Sequence, residues 1–371
     1  MPSINPSRLV LARKRNGLTK KELADKAGLT SRSISSFESG THDPSATTLE
    51  SLSEALGFPI DFFFAPSVDE PPLEATSFRA LSRITARQRD QAVASAAIAL
   101  QLSRWIDETF SLPHPDVPRM QHIDPETAAD GVRREWGLGE RSIGNMIHLL
   151  EARGVRVFSL AEECAEVDAF SFWFGDQPFV FLNTFKTAEH SRMDAAHELG
   201  HLVLHWGHDI PKGREAEREA QAFGSAFLMP RGSVIAEAPR SGRLDQLIAS
   251  KRRWRVSVAA LAYRMHALGL LSDWQYRTLF MEISRLGYRK NEPDGIPRET
   301  SQILGKVFQG LRDEGTSKAD VARELSIPIS ELQKVIFGLV ITPLSGDGHQ
   351  TSSDELSGRP DLRVVPTGES T

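Results

Sequence analysis

Along the first sixty residues, apolar and polar positions recur with the period of short helices separated by tight turns. Leu9, Leu11 and Ala12 begin an amphipathic helix that ends near Asn16-Gly17. Thr19 caps a second helix, and Glu22 three residues later completes a capping box. Gly28 breaks that helix, and Thr30 or Ser31 opens a third whose Ile34 and Phe37 share a face. Ser39-Gly40 stops it, and a fourth runs from Ser45 to Leu56. Residues 59–80, with Phe62-Phe63-Phe64 and then Asp69-Glu70-Pro71-Pro72, read as a linker that starts by packing on something. A single long Ala- and Arg-rich helix is predicted from Ser82 to Phe110, ended by Pro113, Pro115 and Pro118. Helices over Pro125–Trp136 and Ser142–Ala152 follow. Val155 to Phe158, Ala169 to Phe174 and Phe179 to Leu182 are strand-like runs, the last two joined across Gly175-Asp176-Gln177-Pro178. From Thr187 the pattern is helical to about Leu339. The tail from Thr342 is Ser-, Gly- and Thr-rich, with too little apolar content to order itself.

Composition narrows the class. Hydrophobic residues are 40% of 371, enough to bury a core, and the length predicts two or three domains. The one cysteine, Cys164, excludes a disulfide scaffold and a four-cysteine zinc site and fits a reducing compartment. No apolar stretch follows a basic start at the N-terminus, and the run Ala92 to Leu102 is too short to span a bilayer. A soluble cytoplasmic protein with no membrane partner is expected. The net charge of -5 argues against a chain that coats nucleic acid over its whole surface. Residues 1–40 differ, with eight basic against three acidic side chains. A basic N-terminal module on an acidic chain is the footprint of a DNA reader.

That module has the parts of a helix-turn-helix. Ala24 is small where two helices cross, Gly28 permits the turn, and Ile34 and Phe37 anchor the second helix. Ser31, Arg32, Ser35 and Ser36 remain at the start of the recognition helix, where base edges are read. Arg13, Lys14, Arg15 and Lys20 are placed for flanking phosphates. The alternative is a small helical interaction domain that never touches DNA. Over about residues 5–60 the pattern resembles the Cro/C1-type (XRE) repressor domain. That family usually has Gln where this chain has Lys20, which exchanges a specific contact for a phosphate contact. The resemblance implies a homodimer on a two-fold operator.

The strongest short motif is His197-Glu198-Leu199-Gly200-His201. On a helix, residues four apart lie one above the other, so both imidazoles reach one ion. Glu198 then projects beside the ion, placed to take a proton from an attacking water. In the next helical segment Ala220, Phe223, Gly224 and Phe227 form one stripe, and the small Ala220 and Gly224 allow close approach to the histidine helix. Glu217 lies on that stripe and is the preferred third ligand; Glu219, offset toward its flank, is the runner-up. His205 is one turn beyond His201, a position for a group behind the ligands or for plain helix lining. His190 and His208 have no spacing argument and read as surface. Two core histidines around a buried glutamate are the bland alternative, costly without a partner.

These segments resemble the ImmA/IrrE metallopeptidases, through His-Glu-Leu-Gly-His followed by Glu-x-x-Ala-x-x-Phe and Leu-Met-Pro, over roughly residues 120–290. Arg192, taken as preceding the histidine helix, and His205 fall inside that stretch. Gln221 departs from the family, which often has Asn or Asp there, and bears on packing more than ligation. The resemblance implies a zincin-like peptidase that cleaves a repressor, with Zn2+ as its ion and Mn2+ activating some relatives. A zincin aligns its peptide along an edge strand. Phe179–Leu182 is the expected edge, with Phe170, Phe172 and Phe174 as core at period two.

Residues 316–338 again read as a helix-turn-helix, but 298–334 carry six basic and six acidic residues, which favours a packing or dimerisation module over a second DNA reader. The expected architecture is mainly α and multidomain. It comprises an all-α helix-turn-helix domain (1–65), a linker and long connecting helix (66–118), an α+β zincin-like domain (119–240), a helical C-terminal region (241–341) and a disordered tail (342–371). The expected function is a DNA-binding transcriptional regulator whose zinc peptidase, catalytic through Glu198 and ligated by His197, His201 and Glu217, cleaves a repressor or its own linker near Pro71-Pro72. Two alternatives stand beside it. One is a transcription factor whose peptidase-like domain is a non-catalytic ligand or partner sensor, and the other a toxin–antitoxin or phage-defence component.

Overall fold

The computed structural model describes residues 3–71, 85–161, 167–207, 211, 213–239 and 242–340. The expectations for Cys164, His208, Pro72, residues 82–84 of the long helix and the tail from 342 lie outside the described residues.

Local signals set the first four helices: α1 (Pro6–Arg15), α2 (Lys20–Ala27), α3 (Ser31–Glu38) and α4 (Ala46–Leu56). Asn5, Thr19, Thr30 and Ser45 each accept a backbone N–H at the helix start, and Thr19 with Glu22 forms the full capping box. Gly28 turns the chain between α2 and α3 at φ 68°, a left-handed conformation that a side chain resists. Leu9, Ala12, Leu23, Ala24, Ile34 and Leu52 close the core, and a 3₁₀ turn at Ile60–Phe63 inserts Phe62 and Phe63 beneath them. Residues after Leu56 therefore continue this core before any linker begins.

The long helix α5 (Ala86–Thr109) is a spine rather than a strut. Gln91 to Leu100 are buried on every face, which fits a run that is half alanine: small side chains let neighbours approach from all sides. α1 packs on one side. On another lies α16 (Ile329–Ile336), reached after α14 (Gln302–Asp313) and α15 (Lys318–Glu324). α15 and α16 are the second helix-turn-helix expected near the C-terminus. Here α16, the helix that would read DNA, buries Glu331, Leu332, Val335 and Ile336 and packs on α5 and the sheet. Packing is what this pair does. Arg15 of α1 is buried and donates to Glu331 of α16 at 2.5 Å, while Gln101 of α5 donates to the Leu325 carbonyl at 2.8 Å.

Between these lie α6 (Pro125–Glu135), α7 (Met146–Ala152), β1 (Arg156–Ser159), β2 (Ala169–Phe174), β3 (Gln177–Leu182), α8 (Ala188–Leu204) and α9 (Arg214–Leu228). After α9 come α10 (Arg231–Glu237), α11 (Leu244–Trp254), α12 (Val258–Ala267) and α13 (Asp273–Arg285). The sheet order is β1-β3-β2, with β1 parallel and β2 antiparallel to β3. Phe179–Leu182 is thus central, not the expected edge. Its unbroken apolar run already fits a strand buried on both faces and between two neighbours. β2 is an edge, and its alternation splits two environments. Phe170 and Phe172 stack on Phe181 and Phe179, while Ser171 and Trp173 reach α8. No helix among the described residues is long and apolar enough to cross a membrane.

Candidate functional site

Thr187 caps α8, and the four-residue spacing lines up His197, His201 and His205 on one side of it. Arg192 lies within this same helix, not ahead of it. α9 crosses close by because both helices lack bulk at the contact. A Cβ on Gly224 would sit 2.9 Å from the His197 backbone nitrogen, and one on Gly200 would sit 3.2 Å from the Ala220 Cα. Glu217, one turn before Ala220, is thereby delivered to the histidines. The Nε2 atoms of His197 and His201 are 3.1 Å apart, and the Glu217 carboxylate oxygens lie 3.4 Å from the first and 3.6 Å from the second. Among the described residues this is the one group of three His, Cys, Asp or Glu side chains whose donor atoms fall within 4.8 Å of one another.

Glu219 is not part of that triangle. Its Oε2 lies 2.9 Å from His205 Nε2, and His205 Nδ1 lies 2.8 Å from His201 Nδ1. Burial, outweighing the Glu217 carboxylate beside it, pushes His201 down to about 4, and burial also lowers His205. Both rings are therefore neutral at pH 7, and one acceptor fixes their tautomers. A carboxylate only accepts, so His205 donates to Glu219 from Nε2 and accepts at Nδ1 from the His201 Nδ1–H. His201 is left with a bare Nε2 lone pair facing His197 and Glu217. Desolvation works to raise Glu217, but the His197 hydrogen bond and the imidazoles beside it outweigh it and hold the carboxyl well below its ordinary value.

Glu198 is buried against the edge strand, where the Ser171 hydroxyl donates to its Oε2 at 2.7 Å. Sequence reasoning missed Ser171. Its signal was a lone hydroxyl in the run Phe170-Ser171-Phe172. Farther along, Trp173 donates to the Leu202 carbonyl at 3.1 Å, and the Arg119 guanidinium sits 4.3 Å from the ring centres of both Trp173 and Trp206.

At the other end of the chain, Ser31 and Arg32 are exposed on the first turn of α3, while Ser35 and Ser36 are half-buried. Lys20 is exposed but lies 3.1 Å from Glu38, which also takes Arg13 at 2.5 Å. Those two cations brace the end of α3 against α1 and α2. Of the four expected phosphate contacts, Arg15 is overturned because it is buried on Glu331, while Arg13, like Lys20, is paired with Glu38. Lys20 is exposed and Lys14 half-buried.

Fold and site together define a protein that joins an N-terminal helix-turn-helix to a metallopeptidase-like unit built on a His-Glu-x-x-His helix. Comparison with known families agrees. Residues 9–63 match the helix-turn-helix family model, and residues 150–266 match the peptidase M78 model, described as an IrrE N-terminal-like domain. The chain is thus a fusion of an XRE-type helix-turn-helix, which supports DNA binding, with an IrrE/ImmA-like domain. No curated protein matches the chain. The second match ends in α12, beyond the boundary at 240 expected from sequence. Trp254 donating to Ser233 and Arg264 donating to the Met229 carbonyl tie α11 and α12 to the chain that follows α9.

Proposed function

We propose that the protein is a cytoplasmic transcriptional regulator that binds operator DNA as a homodimer and carries a zinc peptidase acting on a repressor or on its own chain. The observation that carries the peptidase reading is the donor triangle of His197, His201 and Glu217. A tetrahedral ion with bonds of about 2.0–2.1 Å needs donors about 3.3–3.4 Å apart. The 3.1 Å between the two imidazole nitrogens, and the 3.4 and 3.6 Å from them to one Glu217 oxygen each, lie near that value. Two imidazoles and one carboxylate suit zinc and leave one coordination position open, the pattern of catalytic sites. Manganese, which favours oxygen donors, fits this set less well.

When bound, the ion supplies Lewis-acid polarisation and acidifies water. Glu198, steadied by Ser171, takes the proton of the attacking water and passes it to the leaving amine. The outer edge of β2 is where an extended peptide adds as a strand. Ser171 touches the middle of α8 and Trp173 its end, so β2 and α8 run the same way. A peptide antiparallel to β2 then enters at the Arg119, Trp173 and Trp206 end. Units bounded near residues 65, 118 and 266 carry these roles, and Ser31, Arg32, Ser35, Ser36 and Lys20 carry the DNA contacts.

Elemental analysis of the purified chain tests this reading. About one zinc per chain is expected, lost in both His197→Ala and Glu217→Ala. Glu219→Gln is expected to keep the ion but bind it about 10–100-fold more weakly in chelator competition, because a neutral amide oxygen accepts from His205 more weakly than a carboxylate and makes His201 a less basic ligand. Zinc absent from the wild type, or unaffected by either alanine, overturns the assignment.

A further inference from the structure

A cavity of about 660 Å³ opens between α14, α15 and α16. Phe308, Ile336, Phe337 and Val340 give it apolar walls, and Arg312 and Lys318 are the charged groups that line it. Several buried cations elsewhere in the chain are matched with carboxylates: Arg15 with Glu331, Arg192 with Glu299, Lys251 with Glu292. Exposed Arg312 and half-buried Lys318 are not. Arg312 donates to the Gln309 amide, and the Lys318 ammonium lies 5.2 Å from the centre of the Phe308 ring. Neither makes an ion pair with any described residue. Asp320, the acid nearest Lys318 in sequence, is taken by the Ser317 cap and by Arg323, and Asp313, next to Arg312, accepts from Gln309. Burial and then the charge of Arg312 lower Lys318, so the two cations are close enough to repel. Two like charges beside apolar walls are relieved by an anion with an apolar body.

We propose that this cavity is a binding site for a small organic carboxylate, its acid group between Arg312 and Lys318 and its aryl or alkyl body against Phe308, Ile336, Phe337 and Val340. The volume is that of an ordinary small-molecule site. Its wall also touches both halves of the protein. Phe337 stacks on Phe185 at 4.9 Å, and its carbonyl accepts from the Thr184 hydroxyl at 3.0 Å, just ahead of the cap of α8. Five residues before Ile336, Glu331 of the same helix holds Arg15 of the helix-turn-helix. A ligand here sits on chain shared by the histidine helix and the DNA-binding end, where an inducing molecule would bias both.

The test is calorimetric titration of the full-length, metal-loaded protein with phenylacetate, indole-3-acetate, 4-phenylbutyrate and octanoate, each beside its primary amide. At least one acid is expected to bind at one per chain, about tenfold or more tighter than its amide, as a charge-assisted contact implies. Lys318→Met should shrink that difference several-fold by weakening the acid alone, and Lys318→Arg should restore it. Because the amide still binds Lys318→Met, a folding defect is told apart from loss of the charge. Failure of every acid to bind overturns the proposal, including the case in which chain beyond residue 340 fills the cavity. Equal affinity for acid and amide, or no effect of Lys318→Met, overturns it equally.

Discussion

Glu198→Gln is expected to reduce peptide-bond cleavage by about 10²–10⁴-fold, the range general acid–base groups contribute. The change alters little else. Glutamine keeps the volume of the buried side chain, and its amide oxygen still accepts from the Ser171 hydroxyl, which lies 2.7 Å from Glu198 Oε2. The proposed ligand atoms belong to His197, His201 and Glu217, so zinc content should stay at its wild-type level. Ser31 and Arg32 stand on a different unit, so operator affinity should stay too. What is lost is a group that can take a proton. Cleavage of candidate repressor peptides and transcription from a reporter, measured on the same variant, separate the readings. Regulation that disappears with cleavage means the peptidase acts in the switch. Regulation that persists while zinc and DNA binding are intact would sink the enzyme reading and leave a transcription factor with a non-catalytic sensor.

The parts legible in the sequence are those made by neighbours along the chain. Caps at Thr19 and Thr30, the left-handed Gly28 and the Ile34–Phe37 face are all written within thirty residues, and each stands where the pattern puts it. The His197–His201 spacing and the Ala220–Gly224 stripe were legible for the same reason, since helical periodicity turns spacing into direction. Glu217 was separable from Glu219 because only one of them shares the stripe. The role of Glu219 was not legible, because it depends on which acceptor His205 meets across two helices. Strand order was misread because pairing is not local, although the unbroken run Phe179 to Leu182 carried a hint that the strand was central. Arg15 was misread more deeply. A basic residue at the end of a basic helix looks like a phosphate contact, and nothing near it announces a carboxylate 316 positions away. The same distance hides the coupling of the two ends. α5 reads as a connector until α1 and α16 are seen to share it.

Glu299→Ala is expected to destabilise the fold by about 3–5 kcal/mol, the cost of leaving one member of a buried ion pair alone. Arg192 is 1% exposed on α8, five residues before His197, and its guanidinium bonds to Glu299 and to the Ile143 carbonyl. Glu299 in turn accepts from the Met146 N–H at 2.8 Å, at the first residue of α7. One carboxylate therefore neutralises a cation on the histidine helix and caps the helix beside it. Alanine removes both and strands a buried guanidinium. The double variant Arg192→Met with Glu299→Leu should recover most of the loss, because apolar side chains need no partner and the desolvation cost disappears. Urea unfolding of wild type, single and double variants measures this. A single variant with the wild-type midpoint, or a double variant no better than the single, would show that the pair does not hold α8. The site should report the same event. With α8 released from α7, His197 and His201 lose the backbone that aims them, so zinc should leave the Glu299→Ala protein at a lower urea concentration than the wild type, in step with its earlier unfolding.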